Sequence, residues 1–327
     1  MRCHPKQRYN RASLTIQGNP LERSLSTEEK SLNLTGLLNL VVVYLVWGST
    51  YLAIRVAVKE DGGFSPFILG FTRVIAGGSL LILWGALRGE RLKPTRRETV
   101  TLVVSGLMLW VGGNGLVNWA EQRAASGVAA LIIAATPIWV AIVEAIIDRK
   151  LPSWRMVAAL LIGFSGIAVL TAPTLRNGVR ADLIAIVALL LAGFSWGSGS
   201  VFQSRRPVEL ASVVNAGYQH LVGAVGFGIL VILLGETWNT PEAESWLAWG
   251  YLVVFGSLFA FTAFIRALKL LPTKIVMTYA YVNPVIAVFL GWLILKEPIT
   301  IWTLGGAFLV LLGVAGVFRE KERRKPR

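Results

Sequence analysis

Ten stretches of this chain run for roughly 18 to 25 residues with almost no charge, at 36–58, 66–87, 99–120, 125–147, 154–172, 182–203, 210–234, 247–268, 273–295 and 300–318. No other feature limits the fold so tightly. A hydrocarbon layer about 30 Å thick offers no water to the backbone, so each stretch must close its own hydrogen bonds as a helix. Nothing alternates with the period of two that a membrane barrel needs. The expected fold class is an all-α membrane protein of ten transmembrane helices. Charged residues make up only 15% of the chain and hydrophobic ones 54%, where a soluble domain has about a quarter of its residues charged.

The stretches are not independent of one another. Leu45-Val46-Trp47-Gly48-Ser49-Thr50 returns as Phe194-Ser195-Trp196-Gly197-Ser198-Gly199, each time in the first apolar run of its half. Ala135-Thr136-Pro137-Ile138 through Gly166-Ile167-Ala168 aligns with Val282-Asn283-Pro284-Val285 through Gly313-Val314-Ala315 at a constant offset of 147 residues. Arg73 with Gly77 has a looser counterpart in Gln219 with Gly223. One five-span unit, 36–172, has thus been duplicated as 182–318. Five is odd, so the second copy enters from the opposite face. The expectation is two inverted five-helix repeats around a central cavity, an arrangement that opens one site to each side in turn.

Basic residues test the count, because Lys and Arg collect in cytoplasmic loops. With residue 1 inside, the inner segments hold 25 of the 32 basic residues. Outer loops hold Lys59, Arg123, Arg176, Arg180 and Lys296, and only Arg55 and Arg73 fall within spans. Both termini are therefore expected in the cytoplasm: a polar tail over 1–35 and a basic tail over 319–327. The net charge of +14 reads as topology plus attraction to anionic inner-leaflet lipid, not as nucleic-acid binding. Trp84 and Trp154 belong to the inner aromatic belt, and Trp119, Trp238, Trp246, Trp249, Trp292 and Trp302 to the outer one. The single Cys3 excludes a disulfide within one chain. The expected location is the plasma membrane, in a bacterium the inner membrane.

Three segments carry a family resemblance: Gly113-Asn114-Gly115-Leu116-Val117 with Trp119-Ala120-Glu121-Gln122, then Ser126-Gly127-Val128-Ala129-Ala130-Leu131-Ile132, and Ser257 with Tyr279-Ala280-Tyr281-Val282-Asn283-Pro284-Val285. Together they resemble the EamA-type, YedA-like exporters of the drug/metabolite transporter superfamily over roughly residues 38 to 318. The resemblance implies ten helices in two repeats, a central cavity, and movement of a small organic metabolite or drug-like solute, usually outward. Lys296-Glu297-Pro298 departs from the Gly-Glu pair common in that family.

Several residues are candidates to touch the cargo. Trp47 and Trp196, with hydroxyls from Ser49, Thr50 and Ser198, would wall a cavity suited to an amphipathic solute, or the Trp-Gly-Ser segments are simply packing motifs. Asn114 and Asn118 lie four apart, as pore lining or as interhelical glue. Tyr279, Tyr281 and Asn283 precede Pro284, which frees a carbonyl one turn earlier, as Pro137 does in the paired span, so both prolines are candidate hinges. Arg73 lies about 10 Å below the outer boundary. It either attracts a substrate carboxylate, pairs with Glu121, or snorkels outward. Glu144 and His220 are the candidate proton-coupling groups, set against a solvated interface for the first and a neutral hydrogen-bonded ring for the second.

Other chemistry is poorly supplied. There is no phosphate-binding loop of the Gly-x-x-x-x-Gly-Lys-Ser/Thr type, which argues against ATP-driven transport in this chain. Two histidines and one cysteine give little for a metal or thiol enzyme. Neither metal nor other cofactor is expected, although a Ser198/His220 hydrolase remains open by spacing. The expected function is a secondary transporter working by alternating access, with a small-molecule substrate and the bilayer as partners. A lipid scramblase or a non-transporting membrane partner is the alternative. Substrate, coupling, direction and oligomeric state are not encoded in any motif.

Overall fold

The computed structural model describes residues 33–59, 61–124, 126–176, 183–286 and 300–323. Most of the amino-terminal tail with Cys3, the loop with Arg180, the segment with Trp292 and Lys296-Glu297-Pro298, the last four residues, and the side chains of Ser126 and Val128 lie outside the described residues.

Helix α1 spans Leu34–Ala57, started by Asn33, whose side chain accepts the Gly36 N–H at 3.1 Å. Helix α2, Pro66–Leu87, begins with proline, which lacks the N–H a first turn leaves unpaired. Helix α3 covers Arg96–Ala120 and opens with a reciprocal cap between Thr95 and Glu98. Its middle, Leu107–Gly115, widens into π-helical turns. The fourth predicted span is broken. Helix α4, Ser126–Ile133, stops, and α5, Thr136–Asp148, starts after a two-residue turn. Pro137 is the cause, since its ring excludes the Ile133 carbonyl from a regular bond. The Thr136 hydroxyl donates to that carbonyl at 2.6 Å, so the freed group is satisfied locally.

Helix α6 (Trp154–Arg176), α7 (Leu183–Arg205) and α8 (Ser212–Leu234) follow. Helix α9, Ala243–Leu270, carries a second π segment at Leu252–Phe261. Residues Thr273–Val276 form the short α10, Met277 and Thr278 turn, and α11 runs over 279–286 with Pro284 inside it. Helix α12 is Ile301–Arg323. Eight helical stretches among the described residues are long and apolar enough to cross a membrane, one of them Leu131–Asp148. The α6 stretch Trp154–Val169 is apolar but shorter. The protein is an all-helical, multi-pass membrane protein.

Contacts fall into a reciprocal pattern. Helix α2 packs along α8, and α6 along α12. Helix α1 packs on α9 as α7 packs on α3. Leu38, Leu45, Leu52, Ile229, Ile232 and Phe308 remain exposed on the outside of the bundle, where lipid replaces a protein partner. One face of the bundle is basic. There Arg205 clasps Asp148 at 2.5 and 2.7 Å, Glu98 holds Arg91 at 2.6 Å and the Glu209 N–H at 2.9 Å, and Thr273 bonds Ser204 at 2.8 Å. The opposite face is laced separately. Lys59 bonds Glu242 at 2.6 Å and Glu244 at 3.3 Å, the Glu242 N–H reaches the Gly62 carbonyl at 2.8 Å, and Glu236 accepts the N–H groups that begin α2, from Phe67 and Ile68.

Candidate solute-binding cavity

A cavity of about 70 Å³ lies where α1, α2, α3, α5, α7 and α11 converge. Its lining includes Trp47, Thr50 and Tyr51 from α1, Arg73 from α2, Trp110, Asn114 and Val117 from α3, Thr136, Trp196, Tyr279 and Asn283. That volume holds a few waters, whereas sites for drug-sized ligands run to about 300–1,000 Å³.

The walls are aromatic. Trp47 meets Trp196 edge-on with centroids 5.4 Å apart, Tyr279 at 5.0 Å and Phe264 at 5.1 Å, and its indole N–H reaches the Gly256 carbonyl at 3.3 Å. The glycines beside the two tryptophans do equivalent work. A methyl on Gly48 would stand 2.8 Å from the Ile286 side chain and 3.2 Å from the Asn283 carbonyl, and one on Gly197 would stand 3.1 Å from the Val140 side chain. The Trp-Gly-Ser segments therefore both pack helices and line the cavity.

Among the described residues, Arg73 supplies the only charged side chain in the lining. It is 3% exposed, its Nε donates to the Ser257 hydroxyl at 3.0 Å, and its guanidinium lies 5.2 Å from the Trp110 ring centre. Its Nη1 has no hydrogen-bond partner among the described residues. Pairing with Glu121 is not formed. Glu121 instead lies by Arg55, whose guanidinium donates to the Glu121 and Ala124 carbonyls at 2.8 and 3.2 Å. The side-chain oxygens of Asn114 and Asn283 and the indole N–H groups of Trp110 and Trp196 are likewise buried without partners.

Other sequence candidates sit elsewhere. Ser49 donates to the Val46 carbonyl and meets the Tyr251 hydroxyl, on the side toward α9. Asn118 donates to the Pro66 carbonyl at 3.3 Å and ties α3 to α2. Ser198 and Tyr281 do not line the cavity, and the Tyr281 hydroxyl bonds the Leu160 carbonyl at 3.0 Å. His220 is fully buried between Trp110 at 4.3 Å and Phe261 at 4.8 Å, with Nδ1 against the Ala216 carbonyl at 2.8 Å. Glu144 is half-buried toward the basic face, with Lys274 and Arg205 as charged neighbours. Tyr51, Trp110, Thr136 and Ser257 join the site without having been singled out as cargo contacts. Trp110 carried a usable signal, one turn below Asn114. Beyond the membrane, burial raises the Glu236 carboxyl above its ordinary value against the N–H bonds it accepts from Phe67 and Ile68, and the bond that Lys59 donates to Glu242 raises Lys59. No group of His, Cys, Asp and Glu suited to a metal occurs among the described residues.

Comparison with known proteins gives a consistent picture. Residues 34–172 and 183–319 each match the model of the EamA-like transporter family. The uncharacterized inner membrane transporter YedA of Escherichia coli (strain K12) is 32% identical over 77% of this chain and 80% of its own length. The uncharacterized transporter YoaV of Bacillus subtilis (strain 168) is 24% identical over 85% of this chain and 94% of its own. A crystal structure superposes with a TM-score of 0.72 at 21% identity, covering 89% of this chain and 99% of the other, which shows a shared fold.

Proposed function

The chain belongs to the EamA-like transporter family, and from that premise we propose that it is a secondary transporter exporting a small amphipathic organic solute that carries a carboxylate. One observation carries the reading. Arg73 is buried in an aromatic cavity with a guanidinium nitrogen unpaired and no acid in the lining, and an uncompensated charge at membrane depth is costly. A carboxylate on the cargo would supply the missing partner bidentately, while Trp47, Trp110 and Trp196 cover its apolar body. Asn114 and Asn283 offer oxygens to any N–H the solute bears, and Thr50 and Tyr279 complete the wall.

Alternating access follows from two inverted five-helix repeats, 36–172 and 182–318, which we infer from three supports. The family model matches twice, the helix contacts are reciprocal, and the π segments of α3 and α9 occupy corresponding places. Pro137 and Pro284 would be the hinges. The basic face is read as cytoplasmic, so both ends of the helix array face the cytoplasm of a bacterial inner membrane.

The test is flux from proteoliposomes holding the full chain, using carboxylic solutes and their methyl esters, with and without a pH gradient. Acids should move faster than their esters. Equal rates for acid and ester would remove the carboxylate, and no flux for any solute would remove transport.

A further inference from the structure

Glu121 lies in the turn after α3, one turn beyond the cavity-lining Val117, whose carbonyl accepts the Glu121 N–H at 2.9 Å. On its other side it lines a polar vestibule of about 490 Å³ on the face opposite the basic one, with Arg55, Lys59, Asp61 and Glu242. The side chain is 0% exposed, and neither carboxyl oxygen has a hydrogen-bond partner among the described residues. The basic side chains around it are bonded or stacked elsewhere. Arg55 spends its bonds on the backbone carbonyls of Glu121 and Ala124, Lys59 is held by Glu242 and Glu244, and Arg123 stacks on Trp119. The flanking Val117, Ala120 and Ala124 share an apolar cluster with Ala185, Ala188 and Leu189 of α7, and the phenol of Tyr51 on α1 is close enough to feel the charge.

An ionised carboxylate in that position lacks both water and a bonded counter-charge, and burying one costs several kcal/mol unless it takes up a proton. Burial accordingly pushes this carboxyl well above the usual range, with Arg55 pulling the other way. The placement differs from that of the other buried titratable groups. A proton on His220 would add a second cation near Arg73, and Glu144 faces Lys274 and Arg205 at the basic face.

We propose that Glu121 is a proton-binding site between the vestibule and the solute cavity, neutral while walled off and ionised when the cavity opens toward the basic face and water reaches it from that side. The idea rests on the transport reading above and deepens it to solute/proton antiport. The proton comes from vestibule water onto a Glu121 oxygen, and leaves by way of the cavity once that opens to the basic face. Solute release toward the vestibule then accompanies proton uptake.

Two arms test it on the full-length protein. Dicyclohexylcarbodiimide attacks protonated carboxyls in apolar surroundings, and adducts are mapped by mass spectrometry from about pH 5 to about pH 9. A Glu121 adduct should persist above the ordinary carboxylate range, then fall as pH rises, and Glu121→Asp should keep an adduct at that position. Absence of the adduct, or yield independent of pH, overturns the proposal. In proteoliposomes, Glu121→Gln should retain solute exchange at equal pH and lose acceleration by a pH gradient, which Glu121→Asp keeps. Retained acceleration in Glu121→Gln also overturns it. Failure of the wild type to move any solute would defeat the transport reading alone, because the carbodiimide arm needs no cargo.

Discussion

A methyl group added at Gly313 would stand 2.5 Å from the backbone N and Cα of Gly163, and one at Gly166 would stand 2.6 Å from the backbone N of Val310. Ordinary contact begins near 3.4 Å, so α12 and α6 must separate by about 0.9 Å to admit the first methyl. The atoms met are backbone, so no rotamer can yield. Close backbone approach is what small residues provide between membrane helices, and overpacking such a contact costs about 1–3 kcal/mol, roughly 5- to 150-fold in the folded ratio. Gly313→Ala and Gly166→Ala should each lower stability by that amount. Combined, they should cost less than their sum, because the gap opened for one methyl admits the other. Gly305→Ala, on the same helix with nothing within 4 Å, should be neutral or slightly stabilising, since alanine favours helix by about 1 kcal/mol. The assay is unfolding of detergent-purified protein followed by tryptophan fluorescence on size exclusion. Equal losses for Gly313→Ala and Gly305→Ala, or strictly additive losses for the pair, would refute the reasoning.

Three further outcomes are expected. Arg73→Met should weaken a carboxylate solute by about 2–5 kcal/mol and leave its methyl ester unchanged, and Arg73→Lys should keep part of the difference, because it retains charge without the planar fork. Equal effects on acid and ester in flux or binding titrations would show that Arg73 does not face the carboxylate. Asn114→Ala should lower flux at near-normal folded yield, whereas Asn118→Ala should lower thermal stability by about 1 kcal/mol through the lost bond to Pro66; the reverse assignment would exchange their roles. Glu236→Gln should cost about 0.5–1 kcal/mol of stability by weakening the acceptor at the start of α2, and an unchanged unfolding midpoint would count against that cap.

The apolar runs made the membrane class legible, because length and charge content alone decide it. The Trp47/Trp196 echo marked two indoles in equivalent helices, and their ring centroids lie 5.4 Å apart. Finer placement escaped for physical reasons. Asn114 and Asn118 share a face on a regular helix, but Asn114 lies in the π segment of α3, whose wider turns rotate the residues beyond it, so one amide lines the cavity and the other binds Pro66. The break at Ala134 and Ala135 follows from Pro137, yet hydropathy runs smoothly across it. The partner of Arg73 is Ser257, 184 residues away, and a hydroxyl inside an apolar run gives no sign of which charge it will meet. Ser49 turned to Tyr251 for the same reason: a one-turn choice of rotamer is invisible in a one-dimensional pattern.

The unpaired groups around the cavity are themselves an argument about mechanism. Arg73 Nη1, the Trp110 and Trp196 N–H groups and the Asn114 and Asn283 oxygens are all buried without partners among the described residues, and folded chains satisfy most such groups. Had the protein bonded them internally, a solute would gain nothing by entering and would have to break those bonds first. Left without protein partners, they would favour a matching solute in the conformation where they converge. A ligand shifts an equilibrium only by its differential affinity for the two states. On the transport reading proposed above, the same deficit that looks like imperfect packing would couple binding to helix motion. It also limits how well the cavity can be stabilised: a substitution that satisfies these atoms from within, such as a carboxylate introduced near Arg73, should raise stability and abolish flux together.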